Sequence, residues 1–172
     1  MNIGILGSGI VGKTLAEGFS KKNHAVLIGS RTPAQLKDFV EKTKKVHAGT
    51  FEEAAKFGEL IVVCVKGMEW ESVISLARHE NFSLKIVIDV TNPLVFEEEN
   101  KPPHLGASYP ESNGERMQKL LPQAKIIKAF NTVPATYMCN PILIEGVPDL
   151  FIVGNDPQAK QDVRKIAHEF GW

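Results

Sequence analysis

The sequence predicts an α/β fold built on a doubly wound, mostly parallel sheet, and three observations carry that prediction. Short Val- and Ile-rich runs recur without alternating polar and apolar residues, which is how strands covered on both faces read. Between them lie apolar residues at spacings of three and four, the stripe of a helix with one buried face. The two patterns alternate from end to end, which places helices on both faces of a parallel sheet.

Ile3 to Leu6 is the first strand, followed by a glycine-rich segment and a helical stripe of Val11, Leu15, Gly18 and Phe19. Met1 to Gly12 is apolar and small, but no basic residue precedes it and Lys13 closes it too soon for a bilayer span. It reads as a buried strand and turn. Ala25 to Ile28 is the second strand, after which Thr32-Pro33 offers an N-cap and a first-turn proline to a helix carrying Leu36, Phe39 and Val40. Val46 to Ala48 is a short third strand, and Thr50 with Glu53 then stands at capping-box spacing. Leu60 to Val65 leads into a stripe of Trp70, Val73, Ile74 and Ala77, and Ile86 to Val90 is the fifth strand.

A second capping-box pair, Ser112 and Glu115, opens a helix with Met117, Leu120 and Leu121. Lys125 to Ala129 and Leu150 to Val153 are the remaining strands, and Val163, Ile166, Ala167 and Phe170 mark the last helix. The capping serines, threonines and glutamates have a structural task that needs no catalytic role. Two aperiodic connections, Val95 to Glu111 and Pro134 to Asp149, both follow strands. Both are expected on the carboxyl edge of the sheet, where open α/β sheets bind ligands.

Lys plus Arg and Asp plus Glu number 20 each, so no net charge draws the chain to nucleic acid or an anionic membrane. With 43% hydrophobic and 23% charged residues over 172 positions, the expectation is one globular domain, 1–172. Cys64 and Cys139 form no CxxC motif or Cys/His cluster, which fits a reducing, cytoplasmic setting without a structural zinc or disulfide framework.

Gly7-Ser8-Gly9-Ile10-Val11-Gly12-Lys13-Thr14 satisfies two phosphate motifs at once. As GxGxxG, Gly7 makes the tight turn, Gly9 admits a pyrophosphate to the backbone, and Gly12 lets the helix pack closely on the sheet. As GxxxxGK[ST], Lys13 would reach the β and γ phosphates and Thr14 would hold magnesium, with Asp89 as the partner aspartate. The apolar Ile10 and Val11 suit a helix already packing on the sheet, and the N-terminal βαβ placement suits a Rossmann fold. No Asp or Glu lies between Glu17 and Asp38 to accept from a ribose 2′-hydroxyl. Ser30, Arg31 and Thr32 instead offer donors to a 2′-phosphate, which points to NADP(H) as cofactor.

Beyond the glycine loop, Gly29-Ser30-Arg31, Ile88-Asp89-Val90-Thr91-Asn92-Pro93-Leu94 and Lys128-Ala129-Phe130-Asn131-Thr132-Val133 carry a more specific signal. With them the sequence resembles the NADPH-dependent reductases of the deazaflavin coenzyme F420, whose fold is shared with the reductase domain of six-transmembrane ferric reductases. The resemblance implies that Gly7, Ser8, Gly9, Ile10, Val11 and Gly12 hold the pyrophosphate and that Ser30, Arg31 and Thr32 hold the 2′-phosphate. It implies that Val65, Lys66, Thr91, Asn92, Pro93 and Asn131 surround the nicotinamide, and that Asp89 opens a turn instead of holding magnesium. Asn131 is the most site-like of these, as a buried amide at a strand end in need of partners.

The family continues past the last helix into a strand and a short helical segment that caps the deazaflavin and pairs subunits. This sequence ends at Gly171-Trp172. The expectation is therefore a domain lacking that segment, with the hydride partner (F420, a flavin or another small acceptor) and a homodimer left open. Hydride transfer between stacked rings rests on positioning, so no catalytic residue is assigned. His24, His47, His79, His104 and His168 are scattered; His104, near Tyr109, is read as a solvated loop histidine, and Glu97-Glu98-Glu99 as a surface run. Alternative readings are a non-enzymatic NADPH sensor, an imine or carbonyl reductase like the pyrroline-carboxylate reductases, and a P-loop NTPase.

Overall fold

The computed structural model describes residues 1–97, 102–106 and 110–172, so Glu98, Glu99 and Tyr109 lie outside the described residues. In chain order the elements are β1 (Asn2–Leu6), α1 (Ile10–Lys21), β2 (Ala25–Gly29), α2 (Lys37–Lys42), β3 (Val46–Gly49), α3 (Phe51–Phe57) and β4 (Leu60–Val63). There follow α4 (Trp70–Ala77), β5 (Ile86–Asp89), β6 (Leu94–Val95), β7 (His104–Leu105), α5 (Asn113–Leu120), β8 (Lys125–Lys128), β9 (Val153–Gly154) and α6 (Pro157–Phe170). A seven-stranded sheet has the order β3-β2-β1-β4-β5-β8-β9, parallel except for β9. The chain winds outward from β1 to β3 and restarts at β4 on β1's other side. That reversal opens a crevice beyond the carboxyl ends of β1 and β4.

Alternate strand residues feed two cores. Ile3, Ile5 and Val62 pack with Leu15, Phe19, Val163 and Phe170 of α1 and α6. Leu6, Ile61 and Val63 pack with Ala54, Trp70, Ile74 and Met117 of α3, α4 and α5 on the other face. Each large apolar side chain so buried contributes roughly 1.5–3 kcal/mol. Both capping boxes form: Thr50 and Ser112 accept from the backbone N–H groups of Glu53 and Glu115, whose carboxylates accept in return. Those backbone hydrogen bonds hold both carboxyls below their ordinary range.

Four expectations change. Thr32 makes no side-chain cap; Pro33–Leu36 is a 3-10 turn, and the Thr32 N–H donates to Ser30 Oγ at 3.1 Å. Leu120 faces solvent while Met117 and Leu121 fill the core. The run Leu150 to Val153 pairs only at Val153–Gly154, antiparallel to β8, because the chain re-enters the sheet from its carboxyl edge. The Pro134 to Asp149 connection is not confined to that edge: its Ala135 to Cys139 part packs over α1, where a Cβ on Gly18 would stand 2.2 Å from Cys139 Sγ. Trp172 Nε1 fastens it by donating to the Met138 carbonyl at 2.9 Å.

The Val95 to Glu111 connection carries a small antiparallel ribbon of β6 and β7. There the exposed His104 lies 3.8 Å from the Glu97 carboxylate. Among the described residues no helix is long and apolar enough to cross a membrane.

Candidate functional site

A groove of about 780 Å³ lies in the crevice beyond β1 and β4. Gly7 begins it at φ +136°, with its N–H donating to the Gly29 carbonyl at 3.2 Å. A Cβ on Gly7 would come within 2.6 Å of the Cys64 carbonyl oxygen, so the turns after β1 and β4 touch through this residue. α1 starts at once: Gly9 is its N-cap, and the Lys13 N–H donates to the Gly9 carbonyl at 3.0 Å. A Cβ on Gly9 would meet nothing within 4 Å, whereas one on Gly12 would lie 1.9 Å from the Gly7 carbonyl oxygen. The three glycines thus answer a left-handed turn, open backbone toward the groove, and close helix–loop packing. With no acidic side chain in its first turn, α1 turns an unopposed positive dipole end to the groove.

At the end of β2, the buried Ser30 accepts from Ser8 Oγ at 3.2 Å and from the Thr32 N–H at 3.1 Å. One hydroxyl thereby ties the glycine loop to the Ser30-Arg31-Thr32 turn. Arg31 is exposed on the groove and makes no ion pair among the described residues. Val65 and Lys66, following β4, line the same groove with Ser8, Ile10 and Val11. Gly12 is outside the lining, packed against the Gly7 carbonyl.

Thr91, Asn92 and Asn131 stand at the ends of the next two strands, outside the groove lining. Pro93 instead lines an apolar pocket of about 420 Å³ with Leu105, Asn113 and Ile126. Asn131 is half-buried, and its amide already has a partner: Asn131 Nδ2 donates to Asn92 Oδ1 at 3.2 Å, and Asn92 Nδ2 to the Asn131 carbonyl at 2.6 Å. The facing asparagine thus supplies a partner to the Asn131 amide nitrogen.

The magnesium-nucleotide geometry is not assembled. Lys13 Nζ lies 5.7 Å from the Phe39 ring centroid. Asp89 is fully buried, accepting from the Thr91 N–H at 2.9 Å and from Lys128 Nζ at 2.9 Å. It opens the turn after β5, as expected.

Sequence reasoning missed Gln35, Phe51, Glu69, Ser72, Val73 and Leu76, which complete the groove. Ser72 and Leu76 share a helical face at i, i+4 in α4, but that spacing alone looks like any solvated helix flank. Cys64 also lines the groove, and its half-buried thiol lies 3.5 Å from the Leu6 carbonyl. Burial pushes the thiols of Cys64 and Cys139 up to about 12. Both should stay protonated and unreactive toward a disulfide reagent at pH 8 until the chain is denatured; rapid labelling of the folded protein would contradict this. Because folding raises these pKa values, their linkage favours the fold below the free-thiol range and weakens as pH rises above about 8.5.

A glycine loop at the switch point of a doubly wound sheet, joined to a donor-rich turn after β2, defines a Rossmann domain of the kind used by NADP-dependent reductases. Residues 2–93, just over half of the chain, match the family of NADP oxidoreductases that are coenzyme F420-dependent, and the chain belongs to that family.

It is 31% identical to metalloreductase STEAP3 of Rattus norvegicus over 99% of this chain and 32% of that protein. It is 28% identical to the F420-dependent NADP reductase of Methanocaldococcus jannaschii over 93% of this chain and 78% of that protein. The chain thus spans about a third of the length of the metalloreductase it matches. A crystal structure from Arthrobacter sp. FB24, provisionally described as an F420-dependent NADP-reductase, superposes with a TM-score of 0.94. That match has 34% identity and covers 99% of this chain and 81% of the other.

Proposed function

We propose that residues 1–172 form one dinucleotide-binding domain whose groove holds NADP(H) for hydride exchange with a deazaflavin, a flavin or another small acceptor. The observation that carries this is the join between Gly9 and Arg31. Backbone open to the groove at the positive end of α1 is linked through Ser8 and Ser30 to an exposed guanidinium with no acidic partner among the described residues.

The α1 N-terminus and Gly9 suit a pyrophosphate, and Arg31 with Thr32 suits a 2′-phosphate. Gln35, Ser72 and Leu76 lie at the adenine side of this assignment, while Val65 and Lys66 lead from the glycine loop toward Thr91, Asn92, Pro93 and Asn131. Bound there, the nicotinamide would supply or accept the hydride. The chain's contribution is to bind, orient and shield it, and no side chain is asked to move a proton.

The experiment is to load the protein with NADPH, add F420 or FMN, and follow the nicotinamide absorbance. Oxidation that depends on the protein and on either acceptor is expected. Tight binding without oxidation by either would replace the reductase with a cofactor-sensing module.

A further inference from the structure

Asp89 and Lys128 end β5 and β8 directly opposite one another in the parallel register. Asp89 has no solvent exposure, and Lys128 keeps 24% of its side chain exposed. Burying such a pair gains little over packing two apolar side chains of similar volume. What an apolar pair could not do is hold a peptide. Asp89 Oδ1 accepts from the Thr91 N–H at 2.9 Å, Asp89 Oδ2 accepts from Lys128 Nζ at 2.9 Å, and Lys128 Nζ also donates to the Thr91 carbonyl. Both backbone polar groups of one residue are thereby gripped by one ion pair.

The neighbouring contacts continue the grip. Asn92 and Asn131 exchange hydrogen bonds across the strand ends. On the other side, a Cβ on Gly67 would lie 2.1 Å from the Asn92 carbonyl oxygen, and the Gly67 carbonyl accepts from Asn113 Nδ2 at 2.7 Å. Thr91 Oγ1 meanwhile is buried with no partner among the described residues.

We infer that Asp89 and Lys128 are positioning residues: their ion pair fixes the Thr91–Asn92 backbone at the strand ends beside the groove, where the proposed reading puts the nicotinamide, setting ring orientation without contributing to nucleotide affinity. This rests on the NADP(H) reading above. Affinity resides in the glycine loop and Arg31, on the far side of β4 from the clamp.

The test compares the wild type with the Asp89→Asn/Lys128→Met double variant, which removes both charges together and strands neither ion. Lys128→Arg, which keeps the charge, is the conservative control. Backbone amide exchange at Thr91 and Asn92 is measured in the free protein, NADPH affinity by calorimetry, and nicotinamide emission in the bound state.

The double variant should exchange faster at Thr91, bind NADPH as the wild type does, and lose the emission characteristic of the wild-type complex. Where FMN oxidises wild-type-bound NADPH, single-turnover transfer should fall on the order of 10- to 100-fold, with part of it recovered in Lys128→Arg. Should the double variant not fold, Asp89→Asn alone carries the same comparison. Unchanged exchange, or unchanged emission after the turn is released, overturns the positioning role alone. A wild type that does not bind NADPH overturns the cofactor reading and this role with it.

Discussion

Adding one methyl group at Gly12 is expected to damage the fold, while the same methyl at Gly9 is expected to spare the fold and remove nucleotide binding. At Gly12 the new Cβ would stand 1.9 Å from the Gly7 carbonyl oxygen, a backbone atom with no rotamer to escape into. Either α1 or the turn after β1 must shift. Overpacking of this kind costs about 3 kcal/mol, against which the better helix propensity of alanine returns about 1, for a net loss of roughly 2 kcal/mol.

At Gly9 the Cβ meets nothing within 4 Å, and the backbone angles of φ −74° and ψ −172° are open to alanine. The free protein should lose about 0.5 kcal/mol, the difference between a fair and a poor N-cap. The methyl would nevertheless occupy the space through which a pyrophosphate reaches the α1 amides. Urea unfolding and NADPH titration of both variants separate the two effects. Equal stability of Gly12→Ala and wild type, or full NADPH affinity in Gly9→Ala, would contradict this account of the loop.

Arg31→Ala is expected to weaken NADPH binding by about 1.5–3 kcal/mol, roughly 10- to 150-fold, and to leave NADH binding nearly unchanged. Arg31 is exposed and has no acidic partner among the described residues, so its removal strands no buried charge and leaves the fold intact. The loss should therefore read the 2′-phosphate contact directly. Lys13→Ala is the matching control. Lys13 Nζ lies over the Phe39 ring, so this substitution should leave NADPH binding as it was. Equal losses for NADPH and NADH in Arg31→Ala would remove the 2′-phosphate assignment.

Much of this was legible in the residues because it depends on local chemistry. The glycine spacing encodes three separate steric demands, and a strand end with Ser-Arg-Thr and no nearby acid shows the donors on which the proposed 2′-phosphate contact rests. The two capping boxes show in sequence because their partners lie three residues apart. Asp156, which caps α6 by accepting from the Ala159 N–H at 2.7 Å, is just as local but lacks the glutamate that completes the pattern.

What stayed hidden depends on tertiary register. That Asn131 would find Asn92, or that Lys128 would stand beside Asp89 and reach the Thr91 carbonyl, follows from how β5 and β8 align, and strand periodicity does not fix that alignment. The far wall of the groove was missed for a similar reason. Ser72 and Leu76 belong to a helix flank whose exposure becomes a site only once α4 is placed across the crevice from Ser8 and Arg31. The direction of β9 likewise reflects where the preceding connection returns to the sheet.

The most direct measurement is a parallel calorimetric titration of the protein with NADPH, NADH and ATP-magnesium. The geometry of Gly9, Ser30 and Arg31 predicts tight binding of NADPH, binding of NADH weaker by at least about tenfold, and no response to ATP-magnesium. Preference for ATP-magnesium, or no discrimination between NADPH and NADH, would contradict it.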